Sequence, residues 1–267
     1  MKTKVNTNNI KAFFFDNDST VFNHSGKGEE ILKSTYEGLR KLREKGYKVC
    51  MITSRSYEEM YNMPSDFMKL FDDVCLLSGA YIVSSDKSVD VRTIDHDSVI
   101  KIINKLDELD ITYRYATNKG NGYISKHDES KEAIFKRLYD MIPMIKKYDN
   151  EEVSHFVVYT SDEIASSVFN EIKNIEYSHV GVCAEFSPKN VDKGLTLVRM
   201  CKKYGIELEE SCAFGDSGND VSMFNKAGLS VCLGNGQDAL KEIADYVTDN
   251  IWEDGLYNGL KHFGFID

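Results

Sequence analysis

Three features that would place this chain in other protein classes are missing from its 267 residues. Lys and Arg total 33 against 43 Asp and Glu and form no dense cluster, so the basic patch of a nucleic-acid-binding protein is absent. None of the six cysteines are spaced as Cys-x-x-Cys, which excludes a zinc site or disulfide framework and predicts reduced, mostly buried thiols. No apolar run approaches the roughly 20 residues that span a bilayer.

These absences favour a globular protein of the cytoplasm. Residues 1–9 are polar and contain no hydrophobic run, so we expect no signal peptide, and we expect neither a membrane nor a nucleic-acid partner. The length suits one large or two medium domains with a substantial core. The sequence does not indicate an oligomeric state.

The most informative stretch begins with three aromatic residues at 13–15. A short apolar run bounded by polar residues predicts a buried strand, and Asp16 and Asp18 follow it directly. Two carboxylates two residues apart on an extended chain point the same way. Such close like charges are unfavourable unless a cation or a shared proton relieves them. The stretch therefore predicts a metal site at the end of a strand.

The surrounding pattern indicates an α/β core with a parallel sheet, interrupted by an insertion. Strands are predicted at 48–52 and 74–77, with a helix at 28–45, and this alternation is typical of parallel sheets. Beyond residue 84 the pattern changes to helices with paired strands, including a helix predicted at 132–147, and the α/β pattern returns after residue 186. We expect core segments at 1–84 and 187–267 and an inserted α+β domain at 85–186.

Polar residues follow several predicted core strands, and Lys193 opens a helix just after the insertion. The carboxyl ends of parallel strands meet at one edge of a sheet, so these side chains are expected to converge. Carboxylates suit Mg²⁺, while hydroxyl and ammonium groups suit a phosphate. The converging residues are Asp16, Asp18, Thr53, Ser54, Lys193, Asp216, Asn219 and Asp220.

At this point the sequence resembles a known family. Residues 16–20, Thr53, Lys193 and residues 215–220 resemble, in order, the four motifs of the haloacid dehalogenase superfamily of phosphatases. The insertion resembles that superfamily's C2 cap, in the Cof-type (IIB) branch. The resemblance implies a Rossmann-like core with an inserted cap. It also implies Mg²⁺-dependent hydrolysis of a small phosphomonoester, a sugar phosphate or a phosphorylated cofactor, through an aspartyl-phosphate.

The resemblance also implies a role for each motif residue. Asp16 would be the nucleophile, and Asp18 the general acid and then the base that activates water. The Mg²⁺ ligands would be Asp16, the backbone carbonyl of Asp18, Asp216 and Asp220, the last directly or through water. Thr53 and Lys193 would hold the phosphoryl oxygens, with Ser54 and Asn219 as further phosphate or substrate contacts.

Three positions depart from the family pattern. Ser19 stands where the first motif usually has glycine, and Ser54 interrupts the usual Thr-Gly-Arg. The usual Asn-Gly-Ala appears here as residues 78–80, with serine first. We expect these changes to affect backbone geometry and substrate preference rather than the chemistry.

Two questions stay open at the level of sequence. An aromatic and polar cluster in the insertion either selects the leaving group or packs in the cap: Tyr113, Arg114, Tyr115, Asn121 and Tyr123. A sugar phosphomutase would share all four motifs, and a non-catalytic Mg²⁺- or phosphate-binding regulator would retain Asp16 and Asp216. The presence of Asp18 argues against the regulator, because binding alone does not require a general acid.

Overall fold

A computed structural model describes residues 7–28, 30–139, 141–180 and 183–267 of the chain. Within these ranges it contains fourteen strands in two sheets, together with nine α-helices. The strands are β1 (Ala12–Phe15), β2 (Lys48–Ile52), β3 (Asp73–Leu76), β4 (Tyr81–Ser84), β5 (Val89–Val91), β6 (Tyr113–Thr117), β7 (Gly122–Ile124), β8 (Met144–Ile145), β9 (Val153–Val158), β10 (Ile175–Val180), β11 (Cys183–Pro188), β12 (Ser211–Gly215), β13 (Leu229–Cys232) and β14 (Tyr246–Val247). The helices are α1 (Lys33–Glu44), α2 (Ser65–Met68), α3 (His96–Glu108), α4 (Glu129–Tyr139), α5 (Asp162–Asn170), α6 (Lys193–Tyr204), α7 (Val221–Phe224), α8 (Asp238–Ile243) and α9 (Gly255–His262).

The first sheet has eight strands in the order β14-β13-β12-β1-β2-β3-β4-β5. The six strands from β14 to β3 are parallel, and β4 and β5 are added antiparallel at one edge. The predicted parallel α/β core is therefore confirmed. The first core segment was predicted to end at residue 84, but this sheet extends to Val91.

The strand β1 lies at the centre of this sheet, between β2 and β12. Its side chains alternate between the two faces, as strand geometry requires. Phe13 and Phe15 pack on the face covered by α1 and α9, whereas Phe14 packs on the opposite face with α6. Because both faces are covered, the three aromatic residues are fully buried. Asp16, which follows them, is therefore attached directly to the end of a rigid strand.

The second sheet has six strands in the order β10-β11-β9-β6-β7-β8 and lies in the chain between β5 and α6. Its pairs are antiparallel except β7 with β8, and α3 and α5 pack on it around Phe156 and Phe186. We call this unit the cap. The helix predicted at 132–147 is wrong in its second half: α4 is followed by β8, because Pro143 cannot continue a helix.

Among the residues described, no helix is long and apolar enough to cross a membrane. Five of the six cysteines, all except Cys183, are buried, as predicted for most of these thiols.

Candidate active site

The chain turns sharply straight after β1. The backbone N–H groups of Thr20, Val21 and Phe22 all donate to the carbonyl oxygen of Asn17, at 3.3, 2.8 and 2.8 Å. Ser19 lies within this turn at a φ of 61°, in the left-handed region that glycine adopts at least cost. The backbone therefore gives a physical reason for the family's glycine, and the serine carries conformational strain in its place.

Three carboxylates come together where β1 and β12 end. Oxygens of Asp16, Asp216 and Asp220 all lie within 4.8 Å of one another. The loop fixes Asp220, whose Oδ2 accepts the N–H groups of Asp216 and Ser217 at 3.0 and 3.1 Å. The hydroxyl of Thr20 donates to Asp216 Oδ1 at 3.0 Å. A donor set of carboxylate oxygens fits a hard divalent cation such as Mg²⁺.

The first turn of α6 delivers Lys193 to this cluster. Asp192 caps the helix, because its Oδ1 accepts the N–H of Leu195 at 2.7 Å. Gly194 then permits close approach to the neighbouring segment, since a Cβ at this position would lie 2.3 Å from the carbonyl oxygen of Ser222. The helix terminus therefore sits directly against the loop that carries the acidic residues.

The ammonium of Lys193 joins three side chains. Its Nζ donates to Asp16 Oδ1 at 2.6 Å, to Asp220 Oδ1 at 2.7 Å and to Asn219 Oδ1 at 3.0 Å. The side chain of Lys193 is 1% exposed and that of Asp220 is fully buried. An ammonium has three N–H donors, and here all three have acceptors.

Burial and like charge disturb the ionisation of this cluster. Burial, opposed by Lys193, raises the pKa of Asp16 from its ordinary value of 3.8 to about 7. Burial and the neighbouring Asp16 raise the pKa of Asp216 well above its usual range. Burial alone would lower the pKa of Lys193, but Asp16 and Asp220 raise it instead. Three carboxylates against one ammonium leave excess negative charge, which a divalent cation would offset.

Asp18 has a different environment from Asp16. The guanidinium of Arg55 donates through Nη2 to Asp18 Oδ1 at 2.6 Å and through Nε to both oxygens at 3.1 Å. His24 Nε2 lies 2.5 Å from the same Oδ1. Burial would raise the pKa of Asp18, but Arg55 and His24 outweigh it and hold the pKa well below its usual range. In this arrangement Asp18 is an ionised carboxylate.

Thr53 and Ser54 follow β2, the strand beside β1. Thr53 is 1% exposed, and its hydroxyl accepts the N–H of Arg55 at 3.2 Å. Ser54 lines a cavity of about 210 Å³ between the core and the cap, together with Glu59, Arg114 and Glu185.

The cap cluster singled out in the sequence divides into three groups. Arg114 reaches the core segment, where its Nη2 donates to Glu59 Oε2 at 2.5 Å, with both side chains 3% exposed. Tyr113 and Tyr115 instead pack in the cap's own hydrophobic core. Only part of the cluster therefore faces the boundary with the core. The remaining two residues contact each other, since Asn121 Nδ2 donates to the hydroxyl of Tyr123 at 3.3 Å.

Sequence reasoning assigned no role to three side chains of this region. His24 and Arg55 bind Asp18, and Glu185 reaches from cap strand β11 to Ser78 and Asn219 in the core. Arg55 carried one usable signal, its place two residues after Thr53 in a family motif. Neither of the other two carried a signal: His24 lies in an irregular segment six residues after Asp18, and the partners of Glu185 lie in another domain.

The fold and the site together define an α/β protein with an inserted cap and a carboxylate cluster at the ends of its central strands. A family model described as haloacid dehalogenase-like hydrolase matches residues 13–260. The chain therefore belongs to that family, as the motifs predicted, and it is a phosphoric monoester hydrolase.

Individual relatives match over nearly the whole chain. A 5-amino-6-(5-phospho-D-ribitylamino)uracil phosphatase of Bacillus subtilis is 26% identical over 95% of this chain and 96% of its own length. A phosphoglycolate phosphatase of Methanobrevibacter smithii is 25% identical over 96% and 99%. A solved structure described as a HAD subclass IIB sugar phosphatase superposes with a TM-score of 0.86 at 28% identity, covering 96% of this chain and 100% of that one.

Proposed function

We propose that this protein is a Mg²⁺-dependent phosphatase that hydrolyses small phosphomonoesters, sugar phosphates or phosphorylated cofactors, through an aspartyl-phosphate on Asp16. The observation that carries the proposal is the buried ammonium of Lys193, placed 2.6 Å from Asp16 and 2.7 Å from Asp220. A carboxylate and a phosphate dianion repel each other, so attack requires fixed positive charge at the nucleophile. Lys193 supplies that charge.

In the first half-reaction, an oxygen of Asp16 attacks phosphorus while the bond from phosphorus to the leaving oxygen breaks. The leaving oxygen takes a proton and departs as an alcohol. In the second half-reaction, water attacks the phosphorus of the aspartyl-phosphate, and the bond from phosphorus to the Asp16 oxygen breaks. Inorganic phosphate and the free carboxylate result, so atoms and charges balance over the two steps.

Asp18 fits the second half-reaction directly, because Arg55 and His24 keep it ionised and able to accept a proton from water. To protonate the leaving oxygen in the first half-reaction, Asp18 must first separate from Arg55. We infer that the acid role belongs to an arrangement in which substrate displaces that guanidinium.

The metal would be held by Asp16, Asp216 and Asp220, whose oxygens already lie within 4.8 Å, together with the backbone carbonyl of Asp18. When bound, Mg²⁺ supplies charge stabilisation at the phosphoryl oxygens. Thr53 and Lys193 would hold those oxygens, with Ser54 and Asn219 nearby. In this proposal the eight-stranded sheet and the helices that cover it form the catalytic core, and the cap, whose sheet runs from Tyr113 to Pro188, covers a small substrate and excludes bulk water.

The relatives support small substrates without agreeing on one. One is named for a ribitylaminouracil phosphate and another for phosphoglycolate. Both names denote phosphomonoesters of low molecular mass.

A panel of phosphate esters tests this proposal, assayed with Mg²⁺ and with EDTA on the wild type and on Asp16→Asn. We expect turnover that requires Mg²⁺ and is absent from the variant. Turnover in EDTA, or an Asp16→Asn variant as fast as the wild type, would contradict it. Stimulation by glucose or mannose bisphosphate, with the phosphoryl group returned to the sugar, would instead identify a phosphomutase.

A further inference from the structure

Asn219 lies between the cap and the catalytic lysine. Its Oδ1 accepts hydrogen bonds from Lys193 Nζ at 3.0 Å and from the Ser217 hydroxyl at 2.9 Å. Its Nδ2 donates to Glu185 Oε1 at 3.4 Å, and Glu185 belongs to β11, a strand of the cap sheet. The amide therefore contacts the core through one end and the cap through the other.

The chemistry of these partners determines which way the amide faces. An asparagine side chain has an acceptor end and a donor end, and the two are almost identical in shape. Lys193 can only donate, and the ionised carboxylate of Glu185 can only accept. With Glu185 in place, the NH₂ group must face the cap and the oxygen must face Lys193. Without Glu185, no cap residue that the structure describes holds the amide in that orientation.

Glu185 is itself rigidly placed. It is 6% exposed, and its second oxygen accepts the hydroxyl of Ser78 at 3.0 Å, so that it makes two contacts with the core. His155 Nε2, on the adjacent cap strand, lies 3.5 Å from that oxygen. Burial would raise the pKa of Glu185, but His155 and Lys193 lower it to about 2, so the side chain remains ionised.

Asn219 differs from the other two acceptors of Lys193. Asp16 and Asp220 are carboxylates that a metal would also bind, whereas Asn219 is neutral and lies outside the carboxylate cluster. The third N–H of the ammonium thus depends on an amide whose orientation is determined from the cap. If the cap strand moved away, Lys193 would retain Asp16 and Asp220, while the Asn219 amide would lose the contact that fixes its NH₂ end and would be held through its oxygen alone.

We propose that Glu185 is a positioning residue: by orienting the amide of Asn219, it aligns Lys193 for phosphoryl transfer only while cap strand β11 lies against the core. This inference rests on the proposed phosphatase function. It makes docking of the cap a condition for the chemical step, in addition to any role of the cap in binding the leaving group.

A double-mutant cycle tests the coupling. Glu185→Ala and Asn219→Ala are each expected to lower kcat by about tenfold, the loss typical of one hydrogen bond at a charged group. Because both act through the same contact, the double variant should be no slower than the slower single variant. Glu185→Gln keeps a carbonyl acceptor for Asn219 and should retain most of the activity. Glu171→Ala is the matched control, because it removes an exposed cap glutamate whose Oε1 lies 3.7 Å from Lys105 Nζ. Its kcat should equal that of the wild type.

The choice of substrate separates positioning from recognition. A positioning effect should appear in kcat to the same extent with p-nitrophenyl phosphate and with a sugar phosphate. An effect limited to KM, or limited to the sugar phosphate, would mean that Glu185 contacts the leaving group and would overturn the proposal. Multiplicative losses in the double variant would overturn it as well. If the wild type hydrolyses no phosphomonoester, the phosphatase function itself fails, which is a distinct result.

A second variant and a second measurement guard against misfolding. If Glu185→Ala does not fold, Glu185→Asp takes its place in the cycle. Aspartate keeps the negative charge, but its side chain is one methylene shorter, so the carboxylate lies farther from Asn219. The ¹H–¹⁵N signal of the Lys193 ammonium gives a readout independent of activity. We expect a protected signal in the wild type and in Glu171→Ala, and a broadened or absent one in Glu185→Ala. A protected signal in Glu185→Ala would contradict the proposal.

Discussion

Asp16, the proposed nucleophile, is predicted to destabilise the folded protein. Asp16 lies in a buried cluster with Asp216 and Asp220, where one ammonium faces three carboxylates. In the absence of metal this excess negative charge opposes folding. Asp16→Asn has nearly the same shape, removes the charge and keeps an oxygen for Lys193. We therefore expect the inactive variant to be more stable than the wild type in EDTA.

The size of the effect follows from the ionisation of Asp16. Its pKa is raised from 3.8 to about 7 in the folded protein. Each pKa unit corresponds to about 1.4 kcal/mol, so the ionised carboxylate costs the folded state on the order of 4 kcal/mol at pH 8. Because the folded protein binds the proton more tightly than the unfolded chain, stability falls as pH rises above 3.8, and the loss is complete above about 7.

Urea denaturation in EDTA at pH 5 and pH 8 measures this difference. We expect Asp16→Asn to exceed the wild type by on the order of 4 kcal/mol at pH 8, and by less than half of that at pH 5. Added Mg²⁺ should stabilise the wild type more than the variant, because the variant has lost one metal ligand. Equal stability differences at the two pH values, or a variant less stable than the wild type at pH 8, would refute the reasoning.

Three further substitutions test other parts of the site. Asn17→Leu should raise the free energy of unfolding by roughly 1–2 kcal/mol in urea titrations, because the Asn17 amide is fully buried with no hydrogen-bond partner among the described residues; an unchanged midpoint would contradict this. His24→Leu removes a partner that lowers the pKa of Asp18, so the acidic limb of the kcat/KM profile should move to higher pH, and an unmoved limb would exclude the contact. Gly194→Ala places a methyl group 2.3 Å from the Ser222 carbonyl oxygen and should cost about 1–3 kcal/mol of stability with a loss of turnover, whereas native-like behaviour would show that α6 shifts freely.

The centre of the fold could be predicted because local pattern and burial agree there. An aromatic run that stops at two carboxylates describes a strand covered on both faces, and β1 is such a strand. The start of α6 at Lys193 agrees with the prediction, and Gly205 ends this helix in the left-handed conformation, at φ 67°. The helix predicted at 132–147 is wrong beyond Tyr139, because it would place Pro143 inside a helix, where proline is not accommodated.

The candidate site was predictable only in part, for a related reason. Residues that follow core strands converge by topology, so Asp16, Asp216 and Asp220 could be brought together from the sequence. The contact between Arg55 and Asp18 depends on how two loops of different strands meet, which no periodicity records. The contact between Glu185 and Asn219 depends on how the cap sheet lies against the core. Contacts between domains leave no local pattern in a sequence.

The central position of β1 has a consequence for the order in which the two sheets fold during synthesis. One neighbour of β1 is β2, but the other is β12, with Ala12 opposite Ser211. The whole cap sheet, from Tyr113 to Pro188, is synthesised before that partner exists. At about 5–20 residues per second, a few seconds separate the end of β11 from Asp220. We expect the cap to complete its sheet first on the ribosome, while β1 stays open on one side.

Nascent chains stalled after the cap test this order. In chains whose released segment ends shortly after Pro188, protease should spare the cap and cut the first core segment. Once the released segment extends past β12 and the residues that follow it, protection should spread to β1. Simultaneous protection of both parts would show that the core does not wait for its distant strand. If the cap does fold first, the carboxylate cluster is the last unit to form. An incomplete chain would therefore hold no metal and carry out no chemistry.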